Sequence, residues 1–424
     1  MSQIRPSRRG LVKAAAGLAA AAGSGLGLGG AARAGETGQS PSHATEPFWG
    51  LHQGGITTRA QSHSYFAALD LTTAKRDDVV KLLRAWTAAA ARMAAGQAAA
   101  PLGQNLTIPG PDSGEALDLP PARLTLTFGF GAVLFVKDGK DRYGLAASRP
   151  AALVDLPRFN GDQLVATNTG GDLSVQACAE DPQVAFHAVR QLVRLAYGVA
   201  ELRWAQAGFL PGYPATETPR NLMGFKDGTS NPSVDDPQAM AKVVWVGEEG
   251  PAWMQGGSYV VARRIRMAIE HWDRMKVDFQ EQTFGRHKYS GAPLGGKDEH
   301  DPLDLDAADK DGNPVIPESA HVRLAAAATN DGTQILRRGY SYNDGVNFTA
   351  ERWPPWRQGM EYDAGLFFVC YQRDPRTSFI KIFDRMSKYD MLNQFVTHTG
   401  GGLFACPGGA APGEFIGQRL FETA

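Results

Sequence analysis

Two pairs of apolar runs recur at nearly the same spacing along the chain. One extended apolar run begins at Tyr65, and another begins at Tyr259, 194 residues later. A second pair of runs begins at Leu173 and, 193 residues later, at Leu366. Short runs of this kind predict strands. The chain is therefore predicted to repeat one structural unit, with accidental similarity inside a single irregular α/β domain as the alternative.

A helix is predicted after the second strand of each pair. Each of these strands leads into an Asp-Pro dipeptide, at Asp181-Pro182 and at Asp374-Pro375. Aspartate caps the free amide groups of a helix N-terminus, and proline fits the first helical position because its missing N–H is not needed there. Apolar residues then recur at helical spacing. In the two halves they are Ala185, Val189, Leu192, Val193 and Ala196, and Phe379, Ile382, Phe383 and Met386.

The order of these elements predicts an α+β fold. The first half adds a helix over 74–93 and strands over 124–130 and 199–205. The result is the order β-α-β-β-α-β, which is the ferredoxin-like motif. We expect two such units with antiparallel sheets, an N-terminal domain over 47–212 and a C-terminal domain over 213–424.

The first 46 residues are predicted to precede the folded part. Paired arginines, Arg8-Arg9, stand before an uncharged stretch over 14–32, and Ala32-Arg33-Ala34 offers a small-residue cleavage site. This order is typical of a twin-arginine export signal, here over 1–34, with a flexible lead-in over 35–46. The alternative is a membrane anchor, but alanine and glycine dominate the stretch and make insertion unfavourable. We therefore expect no stable membrane insertion, a periplasmic or secreted location, and a cofactor inserted before export.

Composition excludes several classes of function. The chain has 424 residues, a mass of 45.5 kDa and 43% apolar residues, which is enough for a sizeable core. Lys and Arg number 43 against 44 Asp and Glu, so the net charge of −1 gives no reason to expect nucleic acid as a partner. Three cysteines are too few and too scattered for a disulfide framework or a thiolate metal site. They are Cys178, Cys370 and Cys406.

The histidines offer one candidate ligand. None of the nine forms a His-Glu-x-x-His motif or another short metal-binding spacing. His321 stands alone before an arginine-bearing apolar run and remains the candidate. The poorer candidates are three in a Gly/Ser-rich leading region and two expected to be packing or surface residues: His43, His52 and His63, and His187 and His271.

An acidic stretch over 298–311 carries seven carboxylates and invites comparison with a calcium loop. Placing Gly312 at the sixth position of an EF-hand puts Ala307 at the first ligand position and Pro314 at the eighth. The loss of the first ligand and the proline inside the loop exclude the match. A solvated linker is predicted instead.

The most distinctive stretch covers residues 224–232, whose Asp-Gly and Asn-Pro dipeptides in isolation predict only a tight loop. With four further motifs in order, it resembles the dye-decolorizing (DyP-type) haem peroxidases, in the twin-arginine-exported deferrochelatase/peroxidase branch linked to iron uptake. The resemblance covers nearly the whole chain after the signal. The five motifs are Gly224–Thr229 (GFKDGT), Gln282–Lys288 (QTFGRHK), Gly291–Gly295 (GAPLG), His321–Ala325 (HVRLA) and Leu336–Tyr342 (LRRGYSY).

This resemblance implies one haem b per chain and a role for each matching residue. It makes His321 the proximal ligand of the haem iron and Asp227 the distal acid/base. It makes Arg337 the distal cation, which also contacts the haem. The residues that continue the distal loop are implied to lie against the haem, and they are Gly228, Thr229 and Ser230.

Two further expectations concern the surroundings of the haem. The family branch often has Asn-Pro-Arg after His-x-Arg-Leu-Ala, whereas this chain has Ala326–Ala328, which removes the basis for a haem contact there. The family also places a carboxylate behind the proximal histidine, and Asp384 is the candidate. Aromatic side chains near the Arg337 segment are candidates for passing electrons from bulky donors, although most are expected to pack: Tyr340, Tyr342, Trp353 and Trp356.

The implied function is a peroxidase that reduces hydrogen peroxide and oxidises a small one-electron donor such as a phenol or a dye. The first alternative is a deferrochelatase, which releases iron from haem and leaves the porphyrin intact. The second is a non-catalytic haem-binding module, against which the distal Asp–Arg pair argues because storage needs only the ligand. A homodimer and components of an iron-uptake system are the expected protein partners.

Overall fold

The computed structural model describes three ranges of the chain, which are 43–212, 217–350 and 358–422. The export signal predicted over 1–34 and most of the lead-in over 35–46 lie outside them, as do Trp353 and Trp356. Within the three ranges, no helix is both long enough and apolar enough to span a bilayer.

The first half has the predicted order of elements. Asp181 begins the second long helix as expected, because its carboxylate accepts hydrogen bonds from the amides of Gln183 and Val184 while Pro182 occupies the first turn. A short helix after the second strand was not predicted. The elements are β1 His63–Leu71, α1 Arg76–Ala94, β2 Thr125–Gly131, α2 Ala132–Phe135, β3 Leu173–Ala179, α3 Pro182–Leu195 and β4 Ala200–Phe209.

The second half repeats this order with long additions. The helix predicted at Asp374-Pro375 begins four residues after the proline, at Phe379, because residues 375–378 form a turn. The carboxylate of Asp374, just before this turn, binds Arg376. The elements are α4 Pro237–Val243, β5 Ser258–Met267, α5 Ile269–Trp272, α6 Val277–Phe284, α7 His321–Ala325, β6 Leu336–Arg337, β7 Tyr340–Ala350, β8 Gln358–Gln372, α8 Phe379–Tyr389, β9 Val396–Cys406 and α9 Gln418–Glu422.

The named strands pair antiparallel, as predicted, but they form one sheet rather than two. The order is β5-β9-β2-β3-β1-β4-β7-β8-β6, and an additional β5–β8 pairing closes the sheet into a barrel. The halves meet at two short seams, where Phe130 pairs with Ala405 and Phe209 pairs with Ser341. Closure removes most of the free edges that two separate sheets would expose.

Side-chain alternation along the strands produces two apolar layers. On β5, Val260 and Ala262 belong to a core inside the barrel, whereas Tyr259 and Val261 belong to the core between the barrel and the helices. The three cysteines are buried and free, in agreement with the expectation of no disulfide framework. The outer layer is the one that matters for function, because the candidate site lies on it.

Candidate active site

A cavity of about 490 Å³ lies against the outer face of β5, β8 and β9. Helices α7 and α8 and the loops over 221–231 and 325–335 form most of its walls, and residues between 284 and 305 contribute the rest. Its floor is apolar and consists of Ile265, Met267, Leu366, Phe368 and Val396. All six residues to which the resemblance gave a role lie in its wall, namely Asp227, Gly228, Thr229, Ser230, His321 and Arg337.

His321 is oriented by a buried carboxylate. It is the first residue of α7, and its Nδ1 lies 2.7 Å from Oδ2 of Asp390. Asp390 follows the last residue of α8, and its other oxygen accepts the amide of Leu392 at 2.8 Å. A carboxylate at Nδ1 fixes the proton on that nitrogen, so Nε2 keeps its lone pair free to bind a metal.

The candidate carboxylate Asp384 was the wrong choice. It lies on α8, six residues before Asp390, with more than half of its side chain exposed, and it forms an ion pair of 2.7 Å with Lys388. Both aspartates belong to the same short segment. Only the one beyond the helix end is turned toward α7, and the sequence does not reveal where that turn occurs.

Asp227 and Arg337 form a direct ion pair in the cavity wall. The Arg337 Nη2 donates to Oδ1 of Asp227, although 110 residues separate them in the chain. Arg337 lies on β6, which pairs with β8, and its guanidinium lies 5.8 Å from the ring centroid of Phe368. Its Nε is buried and has no hydrogen-bond partner among the described residues. The pair thus places a proton acceptor and a fixed cation at one point of the cavity.

Asn231 holds the two parts of this pair together, and sequence reasoning missed it. Its amide donates to the carbonyl of Arg337 at 2.9 Å, and its Oδ1 accepts the amide N–H of Arg337 at 2.8 Å. These two hydrogen bonds dock the loop that carries Asp227 onto β6. Asn231 belongs to the distinctive 224–232 stretch, but its Asn-Pro dipeptide predicts only a turn and not a contact with Arg337.

The distal loop is also tied to the acidic stretch. Gly228 has a φ of +122°, a value that side chains oppose, so this turn requires glycine. The next residue, Thr229, donates to Glu299 at 3.0 Å, and Lys226 forms an ion pair with the same carboxylate at 3.2 Å. The prediction of a solvated linker over 298–311 is therefore wrong at Glu299.

The rest of that acidic stretch is largely exposed, and two of its leucines reach the cavity. Leu303 and Leu305 both lie in the cavity wall. The 298–311 stretch therefore contributes to the cavity wall through these two leucines, which lie between its acidic residues.

A second histidine in the cavity wall was not among the candidates. His398 lies on β9, and its Nδ1 accepts a hydrogen bond of 3.2 Å from Nε of Arg263. Because arginine only donates, the proton of the neutral ring is assigned to Nε2. Burial and the nearby Arg263 charge lower the pKa of His398 well below its ordinary value. Both effects favour the neutral form of the ring.

A smaller cavity of about 250 Å³ adjoins the ion pair. Asp227, Gly228, Asn231 and Arg337 line both cavities. The smaller one extends between Pro219 and the β6–β7 segment. A small polar molecule therefore has space beside the ion pair on both sides of the loop.

The residues present fit a haem group. The larger cavity lies within the range of small-molecule and cofactor sites, has an apolar floor, and contains a histidine whose Nε2 has no hydrogen-bond partner among the described residues. Ala326–Ala328, which replace the family's Asn-Pro-Arg, also line it. That segment therefore supplies wall area without the polar groups of the family pattern.

Comparison with protein families assigns both halves of the chain. Residues 53–210 match the model for the N-terminal part of Dyp-type peroxidases, and residues 218–411 match the model for the C-terminal part. The chain belongs to the DyP-type peroxidase family. It is a haem-dependent peroxidase, as the resemblance implied, and the non-catalytic alternative is set aside.

Curated relatives of this DyP-type peroxidase carry two names. A dye-decolorizing peroxidase from Thermobifida fusca is 39% identical over 385 residues, covering 87% of this chain and 84% of the relative. A deferrochelatase from Escherichia coli K12 is 36% identical over 435 residues, covering 99% and 97%. Among solved structures, a DyP-type peroxidase from Streptomyces coelicolor matches with a TM-score of 0.80 and 42% identity, covering 89% of this chain and 97% of that one.

A separate cluster on α3 of the peroxidase has the composition of a metal site. The two ring nitrogens of His187 lie 3.4 Å from Asp112 and 3.2 Å from Glu115. Arg190 contacts the same Glu115 oxygen at 3.1 Å, and Asp112 also accepts the amide of Ala99 at 2.7 Å. Oε1 of Glu115 has no hydrogen-bond partner among the described residues, and its contacts with Arg190 and His187 are ion-pair contacts only. The side chain of His187 is buried, in agreement with the packing role that the sequence predicted.

Two of the four aromatic candidates for electron transfer lie in the described ranges of this peroxidase. Tyr340 and Tyr342 are at most 1% exposed. Neither offers a surface from which a bulky donor could be oxidised directly, and both pack as expected.

Proposed function

We propose that this chain reduces hydrogen peroxide and oxidises one-electron donors such as phenols or dyes, with His321, Asp227 and Arg337 in the roles that the family resemblance implies. The observation that carries the proposal is the convergence of two independent pairs in one cavity wall. One pair is His321 with Asp390, and the other is Asp227 with Arg337. A site for storage alone requires only the first.

His321 would hold the haem iron through Nε2. The hydrogen bond from its Nδ1 to Asp390 keeps the ring in one tautomer and increases the basicity of Nε2. Bound there, haem would supply the redox chemistry of the reaction. Asp390 acts through His321 and is therefore a positioning residue.

Asp227 would move a proton between the two oxygens of hydrogen peroxide. As a carboxylate it takes the proton from one oxygen, and as the resulting acid it returns that proton to the other, which leaves as water. The ion pair with Arg337 and the docking of its loop through Asn231 orient the carboxylate. Two electrons and two protons convert each peroxide molecule into two water molecules.

Arg337 would stabilise the negative charge that develops on the departing oxygen. A guanidinium remains protonated in proteins, so it contributes charge and hydrogen bonds rather than a proton. Its Nε is buried without a protein partner among the described residues, which leaves a donor for a ligand oxygen. The smaller cavity beside the pair supports entry of peroxide from that side.

The experiment is stopped-flow oxidation of the reconstituted haem by peroxide in wild type, Asp227→Asn and Arg337→Leu. Removal of a general acid/base or of a charge stabiliser costs roughly 10²- to 10³-fold in rate. We expect each variant to retain haem and to react slower by about that amount. Wild-type rates in both variants would refute the assigned roles.

Deferrochelatase activity is the second candidate, and it is favoured by the name of several curated relatives of nearly the same length, such as the one from Escherichia coli K12. The two activities differ in what becomes of the porphyrin. Anaerobic incubation of the protein with haem, without peroxide, should release free protoporphyrin only if iron is removed. The fluorescence of the metal-free porphyrin is the measurement.

Export, assembly and domain division belong to this proposal as well. The Arg8-Arg9 pair and the stretch after it support twin-arginine export to the periplasm or beyond. The division at 47–212 and 213–424 is supported by the similar bounds of the two family models. A homodimer and iron-uptake components are the proposed partners. Replacement of both arginines by lysine should leave the protein in the cytoplasmic fraction.

A further inference from the structure

The strands that form the floor of the cavity containing His321, called the haem cavity below, also form the wall of a separate cleft. Neighbouring side chains on a strand point to opposite faces of the sheet. On β5, Ile265 lines the haem cavity and Arg264 lines the cleft. On β9, His398 lines the haem cavity, and Thr397 and Thr399 line the cleft. A single layer of sheet therefore separates the two spaces.

The cleft lies at one end of the barrel and has a volume of about 560 Å³. Its walls come from β4, β5, β7, β8 and β9, from α5, from the loop over 163–168 and from the segment before β9. Asn393 and Val396 line both this cleft and the haem cavity. The volume is that of a small-molecule site, and at these two residues the partition is one side chain thick.

The cleft offers aromatic surfaces for a planar ligand. Trp204, His271, Phe348 and Phe395 contribute to its wall. The rings of His271 and Phe395 already pack together, with centroids 5.0 Å apart. An aromatic ring of a ligand stacks favourably on such surfaces. Amide and hydroxyl groups between them can bind a phenolic oxygen.

The charges of the cleft select among aromatic ligands. Arg264 binds Asp344 and Asp363 at 2.8 and 2.9 Å, and Arg266 binds Glu361 at 3.0 Å. These five line the cleft, and three carboxylates outnumber two guanidinium groups. The balance disfavours an anionic ligand and favours a neutral or cationic one.

We propose that this cleft binds the reducing substrate, as a neutral or cationic phenol or aromatic amine. The inference rests on the proposed function, because it assigns a site to the donor of that reaction. Each phenol loses one electron, which crosses the sheet to the oxidised haem, and one proton, which passes to water at the open end. Two donor molecules are therefore consumed for each peroxide. Each phenol leaves as a phenoxyl radical, and each aromatic amine, which loses an electron and an N–H proton, leaves as an aminyl radical, with the net charge of the donor unchanged.

Filling the cleft tests this assignment. Asn347→Phe and Thr397→Phe place a ring inside the cleft, whereas Val346→Phe adds the same ring at the neighbouring exposed position of β7, outside it. With guaiacol as donor, we expect the first two variants to raise KM about tenfold. Val346→Phe should leave it unchanged. The rate of haem oxidation by peroxide, measured without donor, should be the same in all four proteins.

A matched pair of donors tests the charge argument in the wild-type holoenzyme. Tyramine and para-hydroxyphenylacetate present the same phenol, with an ammonium group in one and a carboxylate in the other. We expect the KM of tyramine to be lower by about two- to fivefold, since each contact is partly exposed. Equal KM values for the two donors, or a lower KM for para-hydroxyphenylacetate, would contradict the charge preference.

The outcomes separate this inference from the function on which it rests. If both cleft variants keep the wild-type KM for guaiacol while peroxide still oxidises the haem, the donor binds elsewhere and only this inference falls. If peroxide fails to oxidise the haem even in wild type, the proposed function falls with it. A raised KM in Val346→Phe as well would show a general effect of the hairpin and would overturn the assignment.

Discussion

The two halves of the barrel share one strand order, yet the candidate active site lies on the outer face of the second half. In the first half, four residues over 72–75 connect β1 to α1, so the helix lies directly on the sheet and closes the core. In the second half, the chain over 268–335 separates β5 from β6 and contributes α7 and much of the cavity wall. The site thus arises from the connection between strands, on a fold that otherwise repeats.

The largest expected effect is on the free energy of unfolding, which we compare for one leucine on each of the two outer faces. Leu82 on α1 is 3% exposed in the closed core, whereas Leu366 on β8 faces the open cavity. We expect Leu82→Ala to lower the free energy of unfolding of the haem-free protein by about 2–5 kcal/mol, and Leu366→Ala by about 1 kcal/mol, because the second adds little new cavity. Denaturant unfolding measures both. Equal losses would contradict the contrast between a closed and an open face.

The second effect concerns the carboxylate behind His321. Asp390→Asn puts an amide group beside Nδ1 and weakens the preference for the tautomer that leaves Nε2 free. We expect haem affinity or the rate of haem oxidation by peroxide to fall about 10- to 100-fold. Asp384→Asn is the matched control on the same segment, and it should change neither. Haem titration followed by stopped flow measures both variants. If Asp384→Asn lost haem affinity or rate and Asp390→Asn did not, Asp384 would be the carboxylate behind His321.

The third effect concerns the docking of the distal loop. Asn231→Ala leaves the amide and carbonyl of Arg337 without their side-chain partner, and because these groups are only half-buried the cost is about 1 kcal/mol. We expect a fall of about tenfold in the peroxide reaction, smaller than that of Asp227→Asn, because the catalytic groups remain. The control is Asn343→Ala, because within the described ranges its side chain bonds only to the amide of Gly345, at the exposed irregularity of β7. An unchanged rate in Asn231→Ala would show that docking does not position the pair.

The smallest effect depends on pH. Burial acts to raise the pKa of Glu299, but hydrogen bonds from Thr218, Thr229 and Lys226 outweigh it and hold its pKa below its ordinary value of 4.5. A carboxylate with a depressed pKa stabilises the folded state above its unfolded pKa, and that contribution is lost as the pH falls through the folded pKa.

Wild type should therefore be more stable than Glu299→Gln at neutral pH, by less than about 1 kcal/mol. The difference should disappear in strongly acidic solution. Thermal unfolding across the pH range measures it. A constant difference at every pH would show that the charge of Glu299 is not the cause.

Local signals in the sequence predicted most of the elements. Apolar periodicity located the strands, and Asp181-Pro182 located α3, because both features depend on residues close in sequence. Closure of the barrel was not predicted. The seam between Phe130 and Ala405 joins residues from different halves, and neither residue carries a mark of its partner.

The site was predicted unevenly for the same reason. His321, Asp227 and Arg337 stand in motifs with a family pattern, and all three line one cavity. Asp390 and His398 belong to no motif. Their importance depends on where α8 ends and on which face of β9 points outward, and these are properties of the tertiary structure.

The measurement that tests the central claim most directly is the absorption spectrum of the purified, haem-reconstituted protein beside that of His321→Ala. We expect a Soret band in wild type that changes on addition of one equivalent of hydrogen peroxide. We expect the variant to lose or strongly shift this band. An identical spectrum in the two proteins, or no Soret band in wild type after reconstitution, would contradict an imidazole of residue 321 as the ligand of the iron.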